Sequence, residues 1–402
     1  MFLSPEEKII YLRKKYEITQ AELSSADLTR QFIGMIEIGK RNLTSKTADL
    51  ICRNFNNILK KRSINDTIKS SFLLETREEQ ALVKLKNIIQ TKEYQNDLEI
   101  DFYFSELNQF NRKIMSFSLG KFYYELNKIK ISKKYYEMAL LLHNSLENAD
   151  ILLELTRINY YLNSFEENVE IVSNYISLLH KNYNETNIKI LYNYSYSLYK
   201  IEKIEIAIKE FEYLLKQNIN DDLSFKIQNM LAIIYYSKQN KIRKALNIYL
   251  KLMDVSNDEN KLVIYGNYLK IWLINKKIDI ETIILELNTL LDRHRTSGEH
   301  LFKIYVLLGE VYFELETKRK SYTYYLMALK LSNNKLTLSE NKYRLILDIL
   351  EKFELNDKEL EELLEVFLLI YNEEKNYEMT LKIIKKIKNQ NLQHILLTKT
   401  NV

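Results

Sequence analysis

Apolar positions in the first sixty residues recur with the three-to-four-residue period of an α-helix, and short polar segments interrupt them. Capping residues stand where these periodic segments begin: Ser4 precedes Pro5, and Thr19 is followed three positions later by Glu22. Thr29 provides a third cap. The pattern predicts four helices, at about residues 5–15, 20–25, 30–38 and 45–59, with Ala26-Asp27-Leu28 as the turn between the second and the third.

From about Ile64 onward, helical patterns follow one another and are joined by short polar segments. Small and large residues recur there at a fixed spacing, which is identical in two segments 189 positions apart. These two sets are Leu119-Gly120, Tyr123, Ser132, Tyr136 and Ala139, and Leu308-Gly309, Tyr312, Ser321, Tyr325 and Ala328. Modified sets are Tyr194-Ser195, Leu198, Ala207, Phe211 and Leu214, and Leu231-Ala232, Tyr235, Ala245, Tyr249 and Leu252.

This spacing resembles the tetratricopeptide repeat, a helical pair of about 34 residues. The small residues would lie where two helices cross closely, and the large ones would fill the space between them. The resemblance implies an all-α fold in which stacked pairs form a right-handed α-solenoid with a concave face. We expect residues 1–62 to form an N-terminal helical bundle, 63–76 a linker helix, and 77–402 the repeat domain.

Composition agrees with a helical, soluble protein. The 402 residues include one proline and six glycines, and a scarcity of these residues favours long helices. No apolar run approaches the ~18 residues that span a bilayer. The start Ser4-Pro5-Glu6-Glu7 indicates a helix and not a signal peptide. We therefore expect a cytoplasmic protein.

Patterns typical of catalysis are not evident. The single cysteine, Cys52, excludes an intramolecular disulfide, and its apolar neighbours predict a buried, unreactive thiol. The sequence contains neither a phosphate-binding glycine loop with lysine nor a nucleophile elbow. Five histidines are scattered without nearby metal-binding partners: His143, His180, His294, His300 and His394. We expect no enzymatic activity, no cofactor and no metal.

The positive charge of the chain is concentrated at its start. Residues 1–62 contain twelve Lys or Arg and seven Asp or Glu, and their net charge of +5 equals that of the whole chain. A basic N-terminal segment on a neutral remainder is what a nucleic-acid contact at one end requires.

The segment Ile18 to Asn42, ITQAELSSADLTRQFIGMIEIGKRN, closely resembles the lambda-repressor-like (Cro/C1, XRE) helix-turn-helix family. The matching positions are Ile18-Thr19-Gln20, Leu23, Ile33, Ile36-Glu37, Gly39 and Lys40-Arg41-Asn42. The segment departs from the family because its turn is one residue shorter and lacks the usual glycine. The resemblance implies a helix-turn-helix bundle whose second helix of the motif enters the major groove.

The resemblance also implies roles for individual residues. Thr29, Arg30 and Gln31 would open the recognition helix, where Arg30 can pair with guanine and Gln31 with adenine. Phe32 and Met35 would contact thymine methyl groups. Gly34, which has no side chain, would contribute little to base recognition. Phosphate contacts would come from Gln20, Lys40, Arg41 and Asn42. We interpret Glu37 as structural. For Arg30 and Gln31, the simpler interpretation is a solvated helix face.

The repeat register also predicts which residues lie on the concave face. The candidates are Arg157, Tyr196, Tyr199, Lys226, Asn229, Tyr236, Asn267 and Lys270. Asparagine can hold a peptide backbone by donating and accepting at once, and Lys or Arg can hold a terminal carboxylate. The alternative for each of them is ordinary exposed surface.

The combination of the two motifs resembles the peptide-pheromone receptors of Gram-positive bacteria, the RRNPP family. That resemblance implies quorum sensing by a homodimer that binds a double-stranded DNA operator and a short signalling peptide in the repeat groove. Two alternatives remain open: a transcription regulator whose repeats bind a protein partner or only dimerise, and a protein-binding scaffold that no longer binds DNA.

Overall fold

The computed structural model describes residues 2–142, 149–182, 184–293, 298–331, 336–373 and 375–400. Across these residues the chain forms 24 α-helices and no strand, and an isolated antiparallel bridge pairs Ser25 with Leu28. The all-α class predicted from the sequence is therefore confirmed. The helices fall into two compact units, residues 1–201 and 202–402.

The first unit contains thirteen of the described helices. They are α1 (Pro5–Lys15), α2 (Gln20–Leu23), α3 (Arg30–Glu37), α4 (Ser45–Lys61), α5 (Ser70–Leu74), α6 (Arg77–Thr91), α7 (Asp97–Ser105), α8 (Gln109–Glu125), α9 (Ile129–Leu142), α10 (Ala149–Tyr161), α11 (Phe165–Ser173), α12 (Ile176–Lys181) and α13 (Glu185–Lys200).

The second unit contains the other eleven. They are α14 (Ile204–Leu215), α15 (Asp221–Ser237), α16 (Ile242–Val255), α17 (Asp258–Ile274), α18 (Ile280–Arg293), α19 (Gly298–Glu314), α20 (Lys318–Lys330), α21 (Leu336–Lys352), α22 (Asp357–Glu373), α23 (Tyr377–Lys386) and α24 (Gln390–Thr400).

Helices α1 to α5, here called the N-terminal bundle, enclose one hydrophobic core. Ile9, Leu23, Ile33, Ile51 and Phe55 are fully buried in it. The caps that the sequence predicts are present, because the hydroxyl groups of the predicted cap residues accept from the backbone N–H three positions later. The first three predicted helices agree with the structure to within two residues, and α4 extends two residues further than expected.

The interval predicted as a linker helix is largely not helical. Residues 64–69 form no helix, and only the short α5 follows them. The side-chain amide of Asn56 holds this extended segment in place. It accepts from the backbone N–H of Ile68 at 2.8 Å and donates to the carbonyl of Ile68 at 3.0 Å. Ile68 and Leu73 are buried in the core of the N-terminal bundle. The interval therefore packs as part of that bundle.

A buried lysine attaches α1 to the end of α5. Lys8 is 2% exposed, and its Nζ donates to the carbonyl oxygens of Phe72 and Glu75 at 2.8 and 2.7 Å. The same amine pairs with the Glu75 carboxylate at 3.1 Å. The acceptors lie in α5 and in Glu75 directly after it, so Lys8 holds the end of this short helix against α1.

Two further polar contacts join the start of the chain to α6. The guanidinium of Arg77 donates to both carboxylate oxygens of Glu7 at 3.0 and 2.9 Å. The amide side chain of Gln80 accepts from the backbone N–H of Leu3 at 3.3 Å and donates to its carbonyl at 2.7 Å. These contacts and those of Lys8 are called the α1–α6 joint below.

The repeat positions predicted from the sequence place small residues at close helix crossings. In α8, a Cβ added to Gly120 would lie 2.8 Å from the ring of Tyr136 in α9, which is closer than real side chains approach. The hydroxyl of Ser132 donates to the carbonyl of Gly120 at 2.7 Å. Gly309, Ser321 and Tyr325 repeat this arrangement between α19 and α20, with the same 2.7 Å bond from the serine.

Cys52 is 6% exposed in the core of the N-terminal bundle. Burial raises the pKa of its thiol to about 11, and the negative charge of Asp49 adds to this effect. The prediction of a buried thiol is confirmed.

Candidate functional site

Helix α3 presents the predicted base-reading residues at its first turn. Ile33 and Ile36 are buried, so the opposite side of the helix carries the exposed Thr29, Arg30 and Gln31. The hydroxyl of Thr29 accepts from the N–H of Phe32 at 3.2 Å and fixes where the helix begins. Ahead of it, Ser25 and Leu28 exchange backbone hydrogen bonds of 2.9 and 3.2 Å across the turn. A tightly closed turn therefore sets the direction of the first turn of α3.

The end of α3 is also capped by backbone hydrogen bonds. Gly39 has φ +71°, and the N–H of Lys40 donates to the carbonyl of Met35 at 2.8 Å. This is a Schellman cap, in which glycine adopts the left-handed conformation that other residues rarely tolerate. Lys40, Arg41 and Asn42 follow it and are exposed.

The cationic groups of this face are not neutralised by the bundle itself. Within the described residues, Arg30, Lys40 and Arg41 form no ion pair with a carboxylate. Three exposed arginine and lysine charges, one at the start of α3 and two just after its end, produce the positive potential that attracts phosphate.

The two apolar candidates on α3 are less accessible than predicted. Phe32 is half-buried and packs against the core of the N-terminal bundle. Met35 is also half-buried. The helical period explains this, because both side chains lie at the border between the buried face and the exposed one. Only part of each side chain can therefore contact another molecule.

Glu37 binds side chains from two other helices. Its carboxylate accepts from Nε and Nη2 of Arg13 at 2.5 and 3.0 Å, and from Nε2 of Gln20 at 2.6 Å. The side chain of Glu37 is 5% exposed. This geometry fits the structural interpretation of Glu37. It also occupies the amide nitrogen of Gln20, which the resemblance assigns to phosphate.

A surface concavity of about 810 Å³ lies between the end of α1, the start of α2 and Arg30. Its lining includes Arg13, Lys14 and Gln20. Lys14 is exposed and belongs to the basic run Arg13-Lys14-Lys15 that ends α1. The sequence motif alone did not single out Lys14, but its basic run was a signal that could have. The structure adds Lys14 to the candidates for phosphate contact.

Three predicted ligand residues belong to the first unit. Arg157 is exposed and its guanidinium pairs with Glu154 at 2.6 Å, one turn earlier on α10. Tyr196 and Tyr199 are half-buried on α13, with ring centroids 6.2 Å apart. Tyr196 also contacts Tyr160, at 5.0 Å between centroids. These tyrosines therefore belong to an aromatic cluster that packs within the unit.

Four predicted ligand residues of the second unit line two neighbouring concavities. A cavity of about 220 Å³, here called the amide cavity, is lined by Asn229, Asn267 and Lys270. A wider concavity of about 850 Å³ is lined by Lys226 and shares Asn229 with it. Lys226 is exposed and pairs with Asp222 at 2.6 Å. Tyr236 is not in either lining, and at 8% exposure it is buried.

The amide cavity combines apolar walls with a pair of amides. Nδ2 of Asn267 donates to Oδ1 of Asn229 at 2.8 Å, and Asn267 is only 4% exposed. Apolar side chains from α15, α17 and α19 complete the lining: Ile233, Leu262, Val263, Ile304 and Leu307. A pair of amides, one of them almost fully buried, in an apolar cavity is typical of sites that orient a ligand by a few polar contacts.

Lysines give the amide cavity a positive edge. Lys270 and Lys303 both line it, and Glu259 is the one acidic residue among the described lining. The pKa of Lys270 is lowered from its usual value, first because the protein around the amine displaces water and second because Lys303 is positively charged. Glu310 partly opposes this shift. An anionic group bound at this edge would relieve the repulsion between the lysines.

Neither a metal centre nor a membrane span is found in the part of the chain that the structure describes. No group of three or more His, Cys, Asp or Glu side chains there could hold a metal ion. None of the described helices combines the length and apolar character needed to cross a bilayer. His143 and His294 lie outside the described residues.

Comparison with known proteins gives similarity of fold only. No protein-family model and no curated protein sequence matches the chain. A tetratricopeptide repeat protein from Parabacteroides merdae is 16% identical over 67% of this chain and 98% of its own, with a TM-score of 0.47. PlcR of Bacillus thuringiensis, solved with the peptide PapR7 and DNA, is 13% identical over 96% of this chain and 99% of its own, with a TM-score of 0.32.

A third similar structure is a Rap protein solved with Competence and Sporulation Factor. It is 11% identical over 95% of this chain and 100% of its own, with a TM-score of 0.39. Similarity at these TM-scores assigns no function to this chain.

Proposed function

We propose that this protein is a DNA-binding transcription regulator controlled by a short signalling peptide. The observation that carries the DNA-binding part is the exposed start of α3. Arg30 and Gln31 stand there between a capped turn and a Schellman cap, so the bundle fixes the helical backbone that presents both exposed side chains. Arginine and glutamine are side chains that read guanine and adenine edges in the major groove.

Phosphate contacts would come from basic and amide side chains around α3. Lys40, Arg41 and Asn42 follow its end, and Lys14 lines the concavity near its start. Such contacts position a protein on DNA and make its affinity depend on salt. As a homodimer, the protein would place two such faces on half-sites roughly 34 Å or a multiple of it apart.

The amide cavity would hold the peptide. Among the residues that the structure describes, Asn229 and Asn267 together retain unpaired amide atoms that can donate to and accept from a peptide bond, and the lysine edge can bind a carboxylate. The peptide would change DNA binding only if its affinity differs between two arrangements of the protein.

The test measures DNA binding by fluorescence anisotropy, with DNA from upstream of the protein's own gene. Arg30→Ala is expected to weaken specific binding by about 1–3 kcal/mol, roughly 5- to 150-fold. Arg53→Ala is the matched control, because Arg53 is also exposed but lies on α4. The affinity of the native protein should fall steeply as salt increases.

Two outcomes would contradict the proposal at different points. If neither this DNA nor any fragment from a genome-wide selection binds, or if Arg30→Ala and Arg53→Ala bind alike, the DNA-binding face is wrong. The peptide part is tested by repeating the titration with the small-peptide fraction of spent culture medium. DNA binding that this fraction never alters would leave a transcription regulator that responds to a different signal.

A further inference from the structure

Gly266 lies in the middle of α17, between residues that favour helix and strand more than glycine does. Its backbone is helical, so its conformation does not require glycine. Glycine inside a helix is unfavourable relative to alanine, because the unfolded chain gains freedom and the helix gains no side-chain contact. A glycine at this position therefore needs an explanation from its surroundings.

Close packing does not provide that explanation. A Cβ added to Gly266 would meet only Cδ1 of Leu307, at 3.9 Å, which is an ordinary contact. Gly309 in the same unit is different, because a Cβ there would overlap the ring of Tyr325. The fold requires glycine at position 309 and accepts alanine at position 266.

The space beside Gly266 belongs to the amide cavity. Val263, Gly266, Asn267 and Lys270 follow one another at helical spacing along one face of α17, and all four line the cavity. Asn267 is almost fully buried, and its Oδ1 has no hydrogen-bond partner among the described residues. An unpaired acceptor on an almost fully buried side chain, beside an unfilled glycine, is a second observation that fits a ligand at this site.

We propose that Gly266 keeps the amide cavity open for a short extended peptide whose main chain passes directly against α17. The inference rests on the proposed control by a peptide. It gives Gly266 the role of leaving room for the main chain of the ligand. With the ligand main chain against Gly266, Oδ1 of Asn267 accepts from a ligand N–H. A ligand carboxylate lies one turn further on, beside Lys270. A side chain at position 266 occupies the space that the ligand main chain needs.

The test compares Gly266→Ala and Gly266→Val with Gly309→Ala. For Gly266→Ala we expect the melting temperature to rise by roughly 2–4 °C, because alanine favours the helix and causes no overlap. For Gly309→Ala we expect it to fall, because the added Cβ overlaps Tyr325. These measurements need no ligand.

Ligand binding is measured with a library of fluorescent pentapeptides that carry a free C-terminal carboxylate, and with the same library amidated at the C-terminus. We expect Gly266→Ala to weaken binding of the peptides selected by the native protein at least ~10-fold, and Gly266→Val to abolish it. Loss of binding on amidation would identify the carboxylate as the C-terminus. Retained binding by amidated peptides that contain Asp or Glu would identify it as a side chain.

Each remaining outcome points to a different failure. If the native protein binds no member of either library, both the peptide control and this inference are overturned. If it binds peptides and Gly266→Val binds them equally well, only the inference is overturned. A lower melting temperature for Gly266→Ala would also overturn it, because the glycine would then be structural.

Discussion

The carboxylate of Glu37 is held by Arg13 from α1 and Gln20 from α2, so one side chain on α3 fixes the two helices in front of it. Because the group is nearly buried, its partners have little access to water as a substitute. The contribution of such a residue to the stability of the bundle depends on which groups its removal leaves without a partner.

We expect Glu37→Ala to destabilise the N-terminal bundle by about 2–3 kcal/mol, because Arg13 would lose its charged partner and Gln20 its acceptor. Asp49→Ala, an exposed position on α4, removes the same charge and serves as the control. Urea unfolding followed by circular dichroism measures both. Equal effects of the two substitutions would mean that Glu37 does not join the helices.

The exposure of some candidate residues could be predicted from the sequence, and that of others could not. The family resemblance located Arg30, Gln31 and Lys40 on an exposed face, because such motifs fix both the helix and its orientation. It could not show that Phe32 and Met35 lie at the border of the core. The repeat register placed Tyr236 on an open face, whereas the tertiary packing buries it. Exposure at such border positions depends on neighbouring helices and not on the local pattern.

At the scale of elements, helix starts were predictable because they depend on a few adjacent residues. Thr19 forms the box with Glu22 that the sequence indicates, and Ser4 caps α1 as expected and also forms a box with Glu7. The extended segment 64–69 was not predictable, because Asn56, on the preceding helix, supplies the hydrogen bonds that replace helical ones. The amide cavity depends in turn on three helices that are separated in sequence.

The start of α1 should respond to acid. In the folded protein the pKa of Glu7 lies below its usual value, first because the N–H of Ser4 donates to it and then because Arg77 pairs with it. A lowered pKa means that its stabilisation is present above the unfolded-state pKa and is lost as pH falls through the folded-state value. Glu7→Gln should therefore reduce the loss of melting temperature between pH 6 and pH 3.

The neighbouring substitution Glu6→Gln is the control, since it removes the same charge from the same helical turn without touching Arg77. If Glu7→Gln and the native protein lose melting temperature equally on acidification, the contact between Glu7 and Arg77 does not stabilise the folded state.

At the scale of the whole molecule, the proposed control of DNA binding by a peptide requires that the N-terminal bundle be mechanically connected to the helices that follow it. The α1–α6 joint provides this connection within the first unit, through Lys8, Glu7 and Gln80. Among the contacts of this joint, water can replace those of the buried Lys8 amine least easily.

We expect Lys8→Met to lower the free energy of opening the joint by about 1–3 kcal/mol, because the Phe72 carbonyl and the Glu75 carboxylate lose their donor. Hydrogen exchange measured by mass spectrometry should then accelerate roughly 5- to 150-fold across residues 64–76. Lys69→Met, an exposed position beside the same helix, should leave exchange unchanged. Unchanged exchange in Lys8→Met would show that the amine does not hold α5.

The buried thiol of Cys52 has a practical consequence for following this bundle. Thiol reagents attack the thiolate, and both the burial of Cys52 and its raised pKa suppress that form in the folded state. Since the sequence contains no other cysteine, every labelling event reports an opening of the N-terminal bundle. The native protein thus contains its own kinetic reporter, which can follow the opening rate of this bundle without any added probe site.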